Sequence, residues 1–130
     1  LIYYSHEFDC DEDTILVQAT NVGPTCHLET YSCFGPQPFS LQKLEKIIKS
    51  RVDLPESNSY TNELSIKGNK EIAKKIAEEA NELAISSLTN AGRILDEAAD
   101  LLFHVQVLLV TNDYSLSDVE DVLEKRNKSQ

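Results

Sequence analysis

The sequence predicts a mainly α protein in which a helical bundle follows a small β unit. Three observations carry that expectation: a step in charge near residue 40, helical hydrophobic spacing from Leu41 onward, and one short β-branched run before it. Residues 1–40 contain six acids and neither Lys nor Arg, whereas the remainder carries all twelve basic residues against sixteen acids. Gly35, Pro36 and Pro38 punctuate the step as an extended linker. The units are therefore residues 1–38 and 39–130.

In the first unit, residues 14–19 (Thr-Ile-Leu-Val-Gln-Ala) have strand character and Asn21-Val22-Gly23-Pro24 is a turn signal. Asp9, Asp11 and Asp13 alternate, so on an extended strand they would share one face while Cys10 takes the other; an acidic turn is the alternative. Beyond the linker, Leu41, Leu44, Ile47 and Ile48 form an amphipathic stripe with Ser40 as its N-cap. Residues 52–61 are polar, contain Pro55 and read as a loop leading into a short helical stretch that ends at Gly68. Asn69 can cap the next helix, whose apolar positions Ile72, Ala73, Ile76, Ala80, Leu83 and Ala84 keep helical spacing. A break at Thr89-Asn90-Ala91-Gly92 precedes a helix over residues 94–110 that is apolar nearly all round and hence predicted to be buried. Ser117 with Glu120 reads as a capping box before a last helix carrying Val119, Val122 and Leu123.

The two long helices carry the chemistry. Glu79 with Glu82, and Glu97 with Asp100, stand one turn apart and project from one face of their helices. The short polar break folds the helices into an antiparallel hairpin, which brings the four carboxylates to one locus. Oxygen-only clusters suit Mg²⁺, a hard cation that binds substrate phosphates through a partly hydrated shell. For Glu78 and Glu82 taken alone, a solvated acidic face is the favoured reading. On the apolar helix, by contrast, Glu97 and Asp100 risk burial, which is costly without a compensating cation or partner. Lys74 or Lys75 could supply a salt bridge; a metal accounts for all four positions together. His104, one turn past Asp100, is either a ligand or phosphate contact, or a packed histidine donating to a neighbouring carboxylate.

Composition bounds the partners. A net charge of −10 argues against non-specific nucleic-acid binding. Residues 101–110 are too few to span a bilayer, and no basic segment precedes an apolar one, so a soluble cytoplasmic protein without membrane contact is expected. The chain lacks Met and opens on Leu1-Ile2-Tyr3-Tyr4, as a sequence beginning inside a larger gene product would. All three cysteines, Cys10, Cys26 and Cys33, lie in the first unit; their odd number argues against a disulfide framework. They could hold Zn²⁺ with a fourth position open, or be ordinary thiols.

Asp9-Cys10-Asp11-x-Asp13, followed by Gly23-Pro24-Thr25-Cys26-His27 and Ser32-Cys33-Phe34, resembles the C-terminal part of phosphoribosyl-AMP cyclohydrolase. Ser59-Tyr60-Thr61, residues 75–82 (Lys-Ile-Ala-Glu-Glu-Ala-Asn-Glu) and residues 97–104 (Glu-Ala-Ala-Asp-Leu-Leu-Phe-His) resemble phosphoribosyl-ATP pyrophosphatase. The two activities occur fused in this order in bifunctional histidine-biosynthesis enzymes, and the resemblance covers about residues 7–126.

For the second unit the resemblance implies an all-α pyrophosphohydrolase that converts phosphoribosyl-ATP to phosphoribosyl-AMP and pyrophosphate. Glu79, Glu82, Glu97 and Asp100 would hold Mg²⁺, with Glu78 helping to bind metal or position water. Lys67, Lys70, Lys74 and Lys75 could offset phosphate charge or form a solvated basic face. Tyr60 and Thr61 match a motif near the family's active site, or anchor the loop. For the first unit it implies Zn²⁺ at Cys10, Cys26 and Cys33, drawn from two subunits of a dimer, and Mg²⁺ near Asp9, Asp11 and Asp13. Leu28-Glu29 departs from the usual Thr-Gly of that family, and the N-terminal part of its fold is absent, so ring opening of phosphoribosyl-AMP is expected to be lost in this chain. A homodimer or larger homo-oligomer is expected. Two other readings stand beside this one: an all-α pyrophosphatase that clears non-standard nucleoside triphosphates, and a non-catalytic helical interaction module.

Overall fold

The computed structural model describes residues 2–20, 22–33, 35, 38–54, 58–89 and 92–129, which fall into two compact units, Leu1–Phe39 and Ser40–Gln130. Asn21, Phe34, Pro36, Pro55, Asn90 and Ala91, named above in turn, motif and linker signals, lie outside the described residues.

In the first unit, β1 (Ile2–Phe8) pairs antiparallel with β2 (Ile15–Thr20), from Ile2 opposite Thr20 to Phe8 opposite Ile15, with an irregularity between Tyr3 and Ser5. The sequence reading found β2 and missed β1, whose Ile-Tyr-Tyr-Ser-His-Glu-Phe run lacks clean alternation. The acidic segment is no strand. It forms the hairpin connection: Asp9 N–H donates to the Thr14 carbonyl (3.2 Å), Thr14 N–H donates to Asp9 Oδ1 (3.0 Å), and Glu12 takes φ 62°. Short acidic side chains bond readily to nearby backbone amides, which favours a turn over a strand of like charges. Among the described residues of this unit only Cys26 is buried.

The second unit contains α1 (Leu41–Asp53), α2 (Tyr60–Lys67), α3 (Asn69–Thr89), α4 (Ile94–Thr111) and α5 (Leu116–Lys128). Its core is Ile48 of α1, Leu64 of α2, Ile72 of α3 and Val107 of α4, flanked by Leu44, Val52, Ile76, Phe103, Leu108 and Val110. These are the stripe positions that helical periodicity selects. Ser40 caps α1 by accepting from Lys43 N–H, and Ser59 caps α2 by accepting from Asn62 N–H. The segment read as a loop from residue 52 is helical as far as Asp53. Asn62 Nδ2 explains this: it donates to the Arg51 and Leu54 carbonyls (3.2 Å each), otherwise orphaned at the helix end. Gly68, at φ 81°, ends α2 by donating to the Leu64 and Ser65 carbonyls, a conformation open to glycine.

Two predicted caps are relocated. Asn69 is the first residue of α3, and its side chain exchanges amide hydrogen bonds with Asn112 (2.8 and 3.1 Å) instead of capping its own helix. The capping box uses Ser115 and Asp118, not Ser117 and Glu120. The turn that ends α4, with Asp113 at φ 60° and Tyr114 N–H donating to the Leu109 carbonyl (2.9 Å), delivers Ser115 in extended conformation to the N-cap position. Glu45 of α1 accepts from Leu116 N–H and satisfies a further orphan donor there. Nor is α4 buried all round: Leu102 is exposed and Leu95 is 83 % exposed. No helix among the described residues is long and apolar enough to cross a membrane.

Ile72 is fully buried at the centre of this core. Ile72→Ala should lower unfolding stability by about 2–5 kcal/mol, the range for removing a buried aliphatic side chain. Urea titration of the variant against the parent chain measures it.

Candidate functional site

The α3–α4 pair builds the site. Asn69 meets Asn112 near one end, while Glu79 lies with Glu97 and Asp100 farther along, so rising numbers on α3 face falling numbers on α4. The helices are therefore antiparallel. One carboxylate oxygen from each of Glu79, Glu97 and Asp100 lies within 4.8 Å of the others. Glu79 is half-buried, Asp100 exposed, and Glu97 only 3 % exposed. Glu82, exposed, stands close enough to Glu97 to perturb its ionisation without joining the three-oxygen group.

Glu97 is the unusual member. One of its oxygens accepts from Arg93 Nη2 at 2.8 Å; the other, Oε2, is buried and has no hydrogen-bond partner among the described residues. Burial pushes its carboxyl pKa up; Arg93 opposes that, while repulsion from Glu82 and Glu79 adds to it. The cation at this carboxylate is Arg93, one turn before it, and not Lys74 or Lys75. The spacing Arg93-x-x-x-Glu97 was visible in the sequence and was overlooked.

Lys75 and Lys74 instead engage Glu78, at 2.7 and 3.7 Å. The Lys75 hydrogen bond holds the Glu78 carboxyl below the usual range, and Glu78 in turn holds the Lys75 ammonium above its own. Lys74 also reaches Glu71 at 3.7 Å. Lys67 and Lys70 are exposed.

Tyr60, at the start of α2, hydrogen-bonds His104 of α4 (Oη to Nε2, 3.0 Å) and stacks on Phe103. His104 Nδ1 lies 2.8 Å from the Asp100 carbonyl, which can only accept, so Nδ1 carries the proton and Tyr60 donates to Nε2. Burial raises the Tyr60 phenol pKa; Lys75 opposes this, and Glu79, Glu78 and Glu71 reinforce it. His104 thus donates to a backbone carbonyl one turn back and ties the Asp100 turn to α2. Thr61 is 1 % exposed and its hydroxyl has no partner among the described residues, which places it inside the helical layer. Beside the carboxylates, a cleft of about 300 Å³ is lined by Glu82, Ile85, Ser86, Thr89, Arg93 and Glu97. Ser86 is another residue the sequence reading passed over.

In the first unit, ligand atoms of Cys26, His27 and Cys33 lie within 4.8 Å of one another, as do those of Asp9, Asp11 and Asp13. Cys10 is exposed and outside the first group, where His27 takes the third place. Hydrogen bonding from Thr30, from the Leu28 N–H (3.5 Å to Sγ) and from Cys33 lowers the Cys26 thiol pKa. A depressed pKa favours the thiolate, the form that ligates metal.

Residues 41–127 match the pattern of phosphoribosyl-ATP pyrophosphohydrolase. The chain belongs to that family. Residues 2–35 match phosphoribosyl-AMP cyclohydrolase. Among curated relatives, the histidine biosynthesis bifunctional protein HisIE of Salmonella typhimurium is 43 % identical over 124 residues, covering 92 % of this chain and 61 % of the relative. HisIE of Campylobacter jejuni is 41 % identical over 127 residues, covering 93 % and 61 %. HisIE of Pyrococcus furiosus is 40 % identical over 135 residues, covering 94 % and 64 %. The chain thus spans less than two thirds of the length of these relatives.

A buried carboxylate with a raised pKa binds protons more readily folded than unfolded. Its contribution to stability is present below the ordinary glutamate range and is lost as pH rises through the folded value. Glu97→Gln, which keeps an acceptor for Arg93, should therefore unfold at higher temperature than the parent chain in chelator at neutral pH. The difference should shrink as pH is lowered into the ordinary glutamate range; thermal melts of both chains across that interval measure it.

Proposed function

We propose that the helical unit hydrolyses phosphoribosyl-ATP to phosphoribosyl-AMP and pyrophosphate, a nucleotide-binding, Mg²⁺-dependent step of histidine biosynthesis carried out in the cytoplasm. The observation that carries the reading is the convergence of Glu79, Glu97 and Asp100 on one locus, with a buried Glu97 oxygen left unpaired. An all-oxygen donor set fits Mg²⁺, and an orphaned buried carboxylate oxygen is an acceptor without its cation. Glu79, Glu97 and Asp100, with Glu82 alongside, would hold the metal. When bound, Mg²⁺ neutralises polyphosphate charge and orients the phosphoryl group.

The chain's own groups supply the rest. Glu78, kept ionised by Lys75, orients the attacking water next to the cluster. Lys74 and Lys75, with the exposed Lys67 and Lys70, offset phosphate charge that the metal leaves. Tyr60 holds His104, and through it the Asp100 backbone, so its part is to fix ligand position as well as to border the substrate. Thr61 packs behind it.

In the first unit, Cys10, Cys26 and Cys33 would take Zn²⁺ and Asp9, Asp11 and Asp13 Mg²⁺, serving ring opening of phosphoribosyl-AMP in the longer bifunctional protein. Cys26 and Cys33 already converge here, and Cys10 reaching them from a second copy accounts for its place outside the group. Association has an apolar basis in the helical unit too. Leu95 and Leu102, seven residues apart, share a stripe of α4 that faces away from Glu97, and Leu88 of α3 is 85 % exposed. A homodimer that covers these residues is the expected assembly.

Glu79→Gln and Asp100→Asn preserve shape and remove a hard anionic ligand. Each should cut pyrophosphate release from phosphoribosyl-ATP by more than about a hundredfold, beyond the loss typical of an outer-shell partner, with the helical circular dichroism unchanged. Near-normal turnover at limiting Mg²⁺ in either variant excludes the assignment; parent-chain activity on non-standard nucleoside triphosphates alone favours the nucleotide-clearing reading. Light scattering at micromolar concentration should report a dimer or larger, and a monodisperse monomer counts against the proposed assembly.

A further inference from the structure

Arg93 is the only cation hydrogen-bonded to the carboxylate cluster among the described residues, and the pairing is lopsided. Glu97 is 3 % exposed, whereas the Arg93 side chain is 62 % exposed. A guanidinium offers five donors in a planar fork, and Glu97 Oε1 engages Nη2 at 2.8 Å. The rest of the fork is largely exposed at the rim of the cleft that adjoins the carboxylates. Ser86 lines the same cleft. It is 5 % exposed and its hydroxyl has no partner among the described residues, so a neutral hydroxyl donor and a guanidinium line one opening together with the carboxylates of Glu82 and Glu97.

We propose that Arg93 is an exchangeable counter-ion: it neutralises Glu97 in the metal-free chain and binds phosphate oxygens of the substrate when a divalent cation takes over that carboxylate. Arg93 and a divalent cation at Glu97 repel each other and compete for the same anion, so Arg93 weakens metal binding as long as no phosphate is present. A bound polyphosphate brings negative charge to the cleft and gives the guanidinium a second partner, which removes that penalty. Metal and phosphate then favour each other's binding through one side chain, because coupling between two ligands is reciprocal. The inference rests on the metal reading of the carboxylate cluster and names a phosphate-binding residue of the same site.

The discriminating property is opposed effects in a single variant. In the 130-residue chain, calorimetry should show Arg93→Gln binding Mg²⁺ alone about three- to tenfold more tightly than the parent, as loss of a partly exposed charge pair allows. The same variant should bind inorganic pyrophosphate in saturating Mg²⁺ about tenfold or more weakly, the cost of a charge-assisted hydrogen bond. Arg93→Lys keeps the charge and loses the fork, so it should bind Mg²⁺ as the parent does and pyrophosphate with intermediate affinity. Unchanged or weaker Mg²⁺ binding in Arg93→Gln, or unchanged pyrophosphate binding, overturns the proposal while leaving the metal site standing. Failure of the parent chain to bind Mg²⁺ overturns the metal reading itself, and this inference with it.

Discussion

The antiparallel contact between α3 and α4 is the constraint on which the rest of the helical unit depends. It sets opposite one another two acidic turns that would otherwise be unremarkable charged helix faces, and it forces Glu97 into the interface between them. Removing a carboxylate from water is expensive, and two neighbouring carboxylates make it more so. The chain meets part of that cost with Arg93 and leaves one oxygen unmet. A purely structural helix pair would place an apolar residue at position 97. A charge held there at a cost to folding is what the proposed hard-cation site would demand, and it would set stability and binding against each other at this one residue.

Polar pairs beside that interface tie its helices to one another and to α2. The reciprocal Asn69–Asn112 amide pair pins the start of α3 to the end of α4. His104 ties α4 to a third helix: one ring nitrogen donates to the Asp100 carbonyl of its own helix and the other accepts from Tyr60 of α2. Since α2 also contributes Leu64 to the core, Tyr60 transmits the position of that core to the turn that bears Asp100. A one-residue slip of α4 along α3 would rotate Glu97 and Asp100 by roughly 100° around the helix and disperse the cluster. Side-chain hydrogen bonds at fixed positions forbid such slips more strictly than apolar packing does.

What was legible in the sequence follows from the range over which each signal acts. Helix period, the Ser40 cap, the stop at Gly68 and the paired carboxylates are properties of one turn of chain, and all could be read directly. The capping box shows the limit. Both Ser115-x-x-Asp118 and Ser117-x-x-Glu120 satisfy the local pattern, and the choice between them is made by the turn at Asp113 and by Glu45, which reaches Leu116 from 71 residues away. Asn69 and Asn62 are likewise polar residues whose partners lie on other helices. Arg93 is a different kind of miss: its spacing from Glu97 is local, but attention to lysines on the facing helix obscured it. In the first unit the alternating acids fit a strand or an acidic turn alike, since the same run of residues serves either, and only the hydrogen bonds of Asp9 decide for the turn.

The distribution of apolar residues on α4 joins the site to the exposed side of the helical unit. Glu97, Asp100, His104 and Val107 form the stripe that faces α3, α2 and the core, while Leu95 and Leu102 lie on another side of the same helix and are exposed in a single chain. A helix of high overall hydrophobicity is needed because its site-facing stripe spends three positions on polar groups, leaving Val107 as its only fully buried apolar residue. A chain that gives so much of its central helix to polar groups has a small core for its length. Apolar contact on the opposite side is then the remaining source of rigidity for the carboxylates. In the proposed homodimer the geometry of the site and the association of subunits would be two consequences of one helix, and loosening either would be felt at Glu97.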